Sequence, residues 1–259
     1  MDTRTYNRHA WDRQVDKGNR WTVPVGSDAV GRARGGVVEI LLTPVKYVPA
    51  DWLGDLRGRD LLALASGGGQ QGPLLAAAGA NVTVLDQSPK QLAQDRLVAE
   101  RESLDLSTVQ GDMADLSMFS DASFDLVVHP CSNMFVPDVR PVWREAFRVL
   151  RPGGTLLAGF YNPAYFIFDQ FALEAGEFRV RHTLPYSDVI SLTEEERGRF
   201  IAMDEPLVFG HTLEQLFGGQ MEAGFRLTGL YEDGWSESVL ARYMPVFIAT
   251  RAMRPGGLK

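Results

Sequence analysis

Leu61-Leu62-Ala63-Leu64-Ala65-Ser66-Gly67-Gly68-Gly69-Gln70-Gln71-Gly72 is an apolar run that breaks into glycines. Five apolar residues in a row have the character of a strand buried on both faces, as in a parallel sheet. The glycines that follow let the backbone turn tightly and approach a ligand at the strand's carboxyl edge. Gly67 to Gly72 fits G-x-G-x-x-G, and Asp86 lies nineteen residues after Gly67, at the end of the next apolar run, Val82-Thr83-Val84-Leu85-Asp86. A carboxylate there accepts hydrogen bonds from ribose hydroxyls, so loop and acid together point to an adenosine-bearing cofactor.

Working outward, short apolar runs alternate with helical patterns from about Arg57 to Phe160. That alternation predicts a parallel sheet covered by helices. The predicted strands are 61–65, 82–86, 108–110, 124–129 and 155–160, with two more at 226–231 and 245–250. Ser88, Pro89 and Gln91 mark the start of a helix running to about Glu102. Val142, Trp143, Ala146, Phe147 and Leu150 recur at helical spacing, and that helix is expected to stop at Pro152-Gly153-Gly154. The alternation lapses over 161–211, where a short helix is expected to begin at Thr193 with Glu196 as its box partner. Thr212 and Gln215 then open a further helix ending at Gly224.

The third strand ends in Val109-Gln110-Gly111-Asp112-Met113, which brings a second carboxylate to the same sheet edge, suited to an adenine amine. Dinucleotides and S-adenosylmethionine both place a ribose on an acid such as Asp86, so the first two elements leave the cofactor open. The ordered set SGGGQQG, VTVLD, GDM, SFDLVV and RVLRPGG resembles the class I S-adenosylmethionine-dependent methyltransferases over 61–160. The resemblance implies a Rossmann-like α/β fold, a seven-stranded, mostly parallel sheet with helices on both faces and an antiparallel last strand. It also implies S-adenosylmethionine as methyl donor, S-adenosylhomocysteine as product and no metal. Carried onto this chain, it sets Ala65, Ser66, Gly67 and Gly69 along the methionine part, Asp86 on the ribose, Gln87 beside the adenine, and Asp112 with Met113 at its edge. Ala63 and Ala65 stand where many members have an acidic residue and a glycine.

The catalytic candidate is His129, which ends the fourth strand and is expected to face the cofactor as a base. Asn133, Tyr161, Tyr186 and Tyr6 are the candidates for contact with the methyl acceptor, and Trp11 for covering the cofactor. Two parts are expected: 1–56, an N-terminal segment closing over the cofactor, and 57–259, the methyltransferase domain with a lid at about 161–211.

Composition narrows the partners. The chain has 259 residues, 45% of them hydrophobic, and a net charge of -7, which offers no general field for nucleic acid or anionic lipid. The first 34 residues carry seven basic against four acidic side chains without a basic stripe interleaved with aromatics. A single cysteine, Cys131, excludes an intrachain disulfide. No apolar run approaches a membrane span, and Met1 to Gln14 has no apolar leader core. The reading is a cytoplasmic enzyme acting on a small molecule, with no nucleic-acid or membrane partner. Two alternatives remain at this stage: an NAD-dependent oxidoreductase, and a cofactor-binding module without catalysis.

Overall fold

The computed structural model describes residues 2–256. Helices α1 (Thr3–Asp16), α2 (Ser27–Arg34) and α3 (Ala50–Leu53) precede the first strand. Strand β1 (Asp60–Leu64), helix α4 (Gln71–Ala77), β2 (Asn81–Asp86), α5 (Pro89–Glu102), β3 (Leu106–Gln110), β4 (Phe124–His129), α6 (Arg140–Val149) and β5 (Leu150–Tyr161) follow as successive βα units. Then come α7 (Gln170–Glu174), β6 (Tyr186–Ser187), α8 (Asp188–Ser191), α9 (Glu194–Ala202) and β7 (Phe209–Gly210). Helix α10 (Gly219–Glu222), β8 (Arg226–Asp233) and β9 (Phe247–Met253) complete the chain.

The seven-stranded sheet has the order β3-β2-β1-β4-β5-β9-β8. Strands β1 to β5 pair in parallel, while β9 runs antiparallel to both β5 and β8. The Rossmann-like sheet and its antiparallel last strand are therefore as expected. Period-2 alternation explains why helices must cover both faces. On β1, Leu62 and Leu64 pack with Trp143, Ala146 and Val149 of α6, whereas Leu61 and Ala63 pack with Leu74 and Leu75 of α4 and Leu92 and Val98 of α5.

Most predicted starts are found. The Ser88 hydroxyl accepts from the Gln91 N–H at 3.1 Å, and Thr193 with Glu196 forms a reciprocal capping box. Thr212 and Gln215 exchange the same pair of bonds, although the turn they open is a π-helix, 214–218, before α10. Helix α6 ends earlier than expected, at Val149, and Pro152-Gly153-Gly154 lies inside β5. The register of β4 on β5 jumps from Leu150 to Thr155, so these residues bulge away from β4, and the Gly153 N–H is taken instead by the Arg254 carbonyl at 2.8 Å. The stretch 161–211 carries more order than the one expected helix: α7, α8 and the antiparallel pair β6-β7.

Candidate active site

Strand order reverses at β1, whose neighbours are β2 on one side and β4 on the other, so the loops leaving β1 and β4 diverge and open a crevice at the carboxyl edge. The loop after β1 is pinned throughout. Ala65 donates its N–H to the Leu85 carbonyl at 2.8 Å and takes φ +47°, while its own carbonyl accepts from the Ser132 hydroxyl at 2.6 Å. A non-glycine residue in that region is held against a cost of about 1–2 kcal/mol. At Gly67 a Cβ would lie 2.7 Å from the Gln91 Cβ and 3.0 Å from Asp86 Oδ2, so a side chain there displaces both. Gly68 donates its N–H to Oδ2 of the wholly buried carboxyl group of Asp95 at 3.0 Å. Desolvation pushes the Asp95 pKa up to about 8 against the pull of the nearby loop N–H groups, so it keeps its proton at neutral pH.

Asp86 closes the loop from the next strand. Its Oδ2 accepts from Gly67 N–H at 3.1 Å and its Oδ1 from Ser88 N–H at 2.9 Å. Burial raises its pKa to about 6, with the backbone donors opposing and Asp12 adding a like charge. Farther along the edge, Asp112 Oδ1 accepts from Ala114 N–H at 2.9 Å, and Arg4 Nε sits 3.2 Å from Asp112 Oδ2.

Ala65, Gly67, Asp86, Asp112 and Arg4 line one cavity of about 780 Å³, within the size range of small-molecule sites. Ser66 and Gln91 belong to its wall, and Ser66 Oγ and Gln91 Oε1 are buried polar atoms without a hydrogen-bond partner among the described residues. At the opposite end the wall is apolar and aromatic: Leu42, Pro44, Tyr161, Trp235 and Phe247.

Helix α1 and the segment 203–208 roof the cavity. Asn7 donates to the Leu207 carbonyl and accepts from the Leu207 N–H, both at 2.9 Å. Gln14 donates to the Asp204 carbonyl at 2.9 Å, and Arg13 and Lys17 pair with the Asp204 carboxylate. On its other side, α1 is tied to the start of α5: the Ser88 hydroxyl donates to Asp12 at 2.6 Å, and Lys90 pairs with Asp16.

Comparison with known proteins settles the family. A family model described as "Methyltransferase domain" matches residues 62–158. The Bacillus subtilis (strain 168) protein named "Uncharacterized methyltransferase YbaJ" is 49% identical over 249 residues, covering 96% of this chain and 97% of its own. The chain belongs to the class I S-adenosylmethionine-dependent methyltransferases. A ubiquinone biosynthesis O-methyltransferase from Xanthomonas oryzae is 32% identical over 160 residues, 59% of this chain and 65% of that one. The fold is shared with an S-adenosylmethionine dependent methyltransferase from Mesorhizobium loti, with a TM-score of 0.60, 18% identity, and coverage of 79% of this chain and 94% of the other. It is also shared with a Burkholderia thailandensis 1,6-didemethyltoxoflavin-N1-methyltransferase, with a TM-score of 0.60, 14% identity, and coverage of 97% and 88%.

The methyltransferase's cavity fits its donor. The oxygens of Ser66 and Gln91, unpartnered among the described residues, offer polar contacts, and the loop at Gly67 leaves no room for a side chain. Of the sequence-derived candidates, Ala65, Ser66, Gly67, Asp86, Gln87, Asp112, Met113, Trp11 and Tyr161 line the cavity together. Gly69 does not; it lies behind the loop, where a Cβ would meet the Gln94 carbonyl at 2.8 Å. Asn133 is spent on structure, donating to the Gly159 carbonyl at 2.6 Å. Tyr186 donates to Asp188 at 2.7 Å, and Tyr6 to the Glu205 carbonyl at 2.9 Å; neither lines the cavity.

His129 also departs from expectation. Its ring is fully buried, with Nδ1 2.9 Å from the Leu64 carbonyl and an edge-to-face contact with Trp143. Burial lowers its pKa to about 4, leaving a neutral ring behind the cavity wall and not in it. Alternation explains the placement: His129 has the parity of Val127, which packs in the Trp143 core, not that of Val128. The sequence reading missed the loop 41–44, Gln91, Trp235 and Phe247, all of them in the wall. Only Gln91 had a signal, its place one turn into the helix that follows Asp86.

Proposed function

We propose that this methyltransferase moves a methyl group from S-adenosylmethionine to a small-molecule acceptor lodged at the aromatic end of the same cavity. The observation that carries this reading is continuity: Gly67, Asp86 and Met113 share one cavity with Tyr161, Trp235 and Phe247. S-adenosylmethionine supplies a methyl group on a sulfonium, open to direct displacement. The chain's part is to align, to exclude water and to hold charge.

In this reading Ala65, Ser66 and Gly67 run along the methionine part, and Asp86 accepts from the ribose hydroxyls. Gln87 flanks the adenine, while Asp112 and Met113 meet its edge. One Asp112 oxygen is bound by Ala114 and the other faces Arg4, so adenine recognition is coupled to movement of Arg4. Trp11, edge-on to Phe135 at 5.3 Å between ring centres, covers the site from α1. Tyr161 lies on the acceptor side. The neutral, enclosed ring of His129 supports the wall and takes no proton from an acceptor. Residues 1–56 act as the closing segment and 161–211 as the lid, since both contribute to the roof. The names of relatives support a small-molecule acceptor, among them ubiquinone biosynthesis O-methyltransferase and, from Spinacia oleracea, 2-methyl-6-phytyl-1,4-hydroquinone methyltransferase.

Calorimetric titration with S-adenosylmethionine, S-adenosylhomocysteine and NAD tests the reading. Micromolar binding of the first two without NAD is the expected result. Binding of NAD alone overturns it in favour of an oxidoreductase, and silence from all three overturns it in favour of a module that has lost the donor.

A further inference from the structure

The aromatic end of the cavity has two properties that bear on what it takes. The first is an unmet donor. Trp235 lines the cavity, and its indole Nε1–H is buried with no acceptor among the described residues. A buried donor left unpaired is destabilising, so such a group in a binding wall asks for a lone pair from the occupant. The second is the lack of ionised neighbours around Tyr161; the Arg20 guanidinium, 6.0 Å from the Trp235 ring centre, is paired with Glu237 at 2.6 Å, and neither of the two lines the cavity. The groups that act on the Tyr161 hydroxyl, besides burial, are Tyr165 and Cys131, both neutral at physiological pH. The Asp233 carboxylate, whose charge reaches Cys131, does not line the cavity and is saturated. Its Oδ2 accepts from Thr43 Oγ1 at 2.8 Å and from the N–H groups of Val45 and Lys46 at 2.9 Å, and its Oδ1 from Gly234 N–H at 2.9 Å.

Tyr161 and Phe247 present adjoining ring faces, with centres 4.3 Å apart and planes tilted by 53°, and Trp235 adds a third ring 6.0 Å from Phe247. Three rings in one wall favour a flat, aromatic occupant. They also attract cations, but an ammonium has no lone pair for Trp235, and the wall of Leu42, Pro44, Tyr161, Trp235 and Phe247 itself carries no carboxylate, Glu205 lining the same cavity from the roof segment 203–208.

We infer that the acceptor is an uncharged aromatic molecule bearing an oxygen, seated against Tyr161 and Phe247 and receiving a hydrogen bond from Trp235 Nε1. The inference rests on the methyl-transfer reading of the cavity. Asp233 is its positioning residue: one carboxylate fixes the loop that carries Thr43 and the turn that carries Trp235, two walls of the compartment that the chain brings from opposite ends.

The test uses the full chain saturated with S-adenosylhomocysteine and three probes of matched size: 4-methylcatechol, benzylammonium and benzoate. The side-chain N–H signals of the five tryptophans are followed by NMR, with Trp235 assigned by its loss in Trp235→Phe. The expected result is saturable binding of 4-methylcatechol that shifts the Trp235 signal, with the two ions binding at least about tenfold more weakly. Trp235→Phe keeps a ring and loses the donor, so the catechol should bind about three- to tenfold more weakly while S-adenosylhomocysteine affinity is unchanged. Asp233→Ala should weaken the catechol and spare the cofactor; a merely structural role lowers both together and overturns the positioning assignment. Equal or tighter binding of either ion, catechol binding that leaves the Trp235 signal in place, or no binding of 4-methylcatechol overturns the inference. Failure of S-adenosylhomocysteine to bind is a different outcome, and it overturns the methyl-transfer reading from which the inference starts.

Discussion

Asp86→Asn is the substitution with the most to reveal about the donor end. The carboxylate accepts two backbone N–H groups, one on each oxygen, and lines the cavity. Asparagine keeps one acceptor and turns the other into a donor facing an N–H, which leaves a buried donor unpaired at a cost of about 1–3 kcal/mol. Against that, it removes the penalty of an ionised buried carboxylate above the raised pKa of about 6, so the variant should still fold. What it cannot replace is a charged acceptor for the ribose hydroxyls. One such bond is worth about 1.5–3 kcal/mol, or about ten- to hundredfold in affinity. Calorimetry with S-adenosylhomocysteine at pH 7.5 should show that loss with the thermal transition still cooperative. The pH dependence is a second constraint. As pH falls through about 6 the wild-type carboxylate gains its proton and binding weakens, so wild type and variant should converge near pH 5. An unchanged affinity at pH 7.5, or a ratio independent of pH, refutes the ribose assignment.

Asp95→Asn tests the support of the glycine loop. The folded protein holds the Asp95 proton up to about pH 8, whereas the unfolded chain loses it near 3.8, so wild-type stability declines as pH rises across that window. The variant lacks this decline, and its Tm should gain on wild type between pH 6 and pH 9; parallel curves count against the neutral buried carboxyl. His129→Ala should cost about 2–4 kcal/mol in urea unfolding through the cavity it leaves, with S-adenosylhomocysteine affinity kept within about twofold. A selective loss of ligand binding in a fully stable variant returns His129 to the site. Asn7→Ala strips partners from both the N–H and the C=O of Leu207, at about 1–3 kcal/mol each. Hydrogen exchange should quicken in α1 and 203–208 together, and exchange confined to α1 contradicts a jointly held roof.

The donor half of the site is legible in the sequence because each of its parts is local. Strand, glycine loop and helix start follow one another within a few residues, and Asp86 and Asp112 sit at strand ends whose parallel register the sheet then fixes. The acceptor half is not legible, since loop 41–44, Tyr161, Trp235 and Phe247 come from segments far apart in the chain and carry no shared spacing. His129 shows a different failure. Its position at a strand end was readable, but the face it takes follows from alternation with Val127 and Val128, and that parity directs it into the Trp143 core. Pro152-Gly153-Gly154 looks like a turn because proline lacks a donor and Gly153 takes φ +85°; the bonds exchanged with Arg254, a hundred residues on, keep it within a strand.

The bonds from Asn7 to Leu207 join residues 200 positions apart. On a ribosome, helix α1 finds its first docking surface once Ser88 and Lys90 have been made, but the second, 203–208, follows more than a hundred residues later. Closing so long a loop is slow and follows assembly of the sheet. A nascent chain that lacks 203–208 therefore presents the glycine loop and Asp86 with only part of their cover. The competence to enclose a ligand arrives late, as the stretch 203–208 comes through.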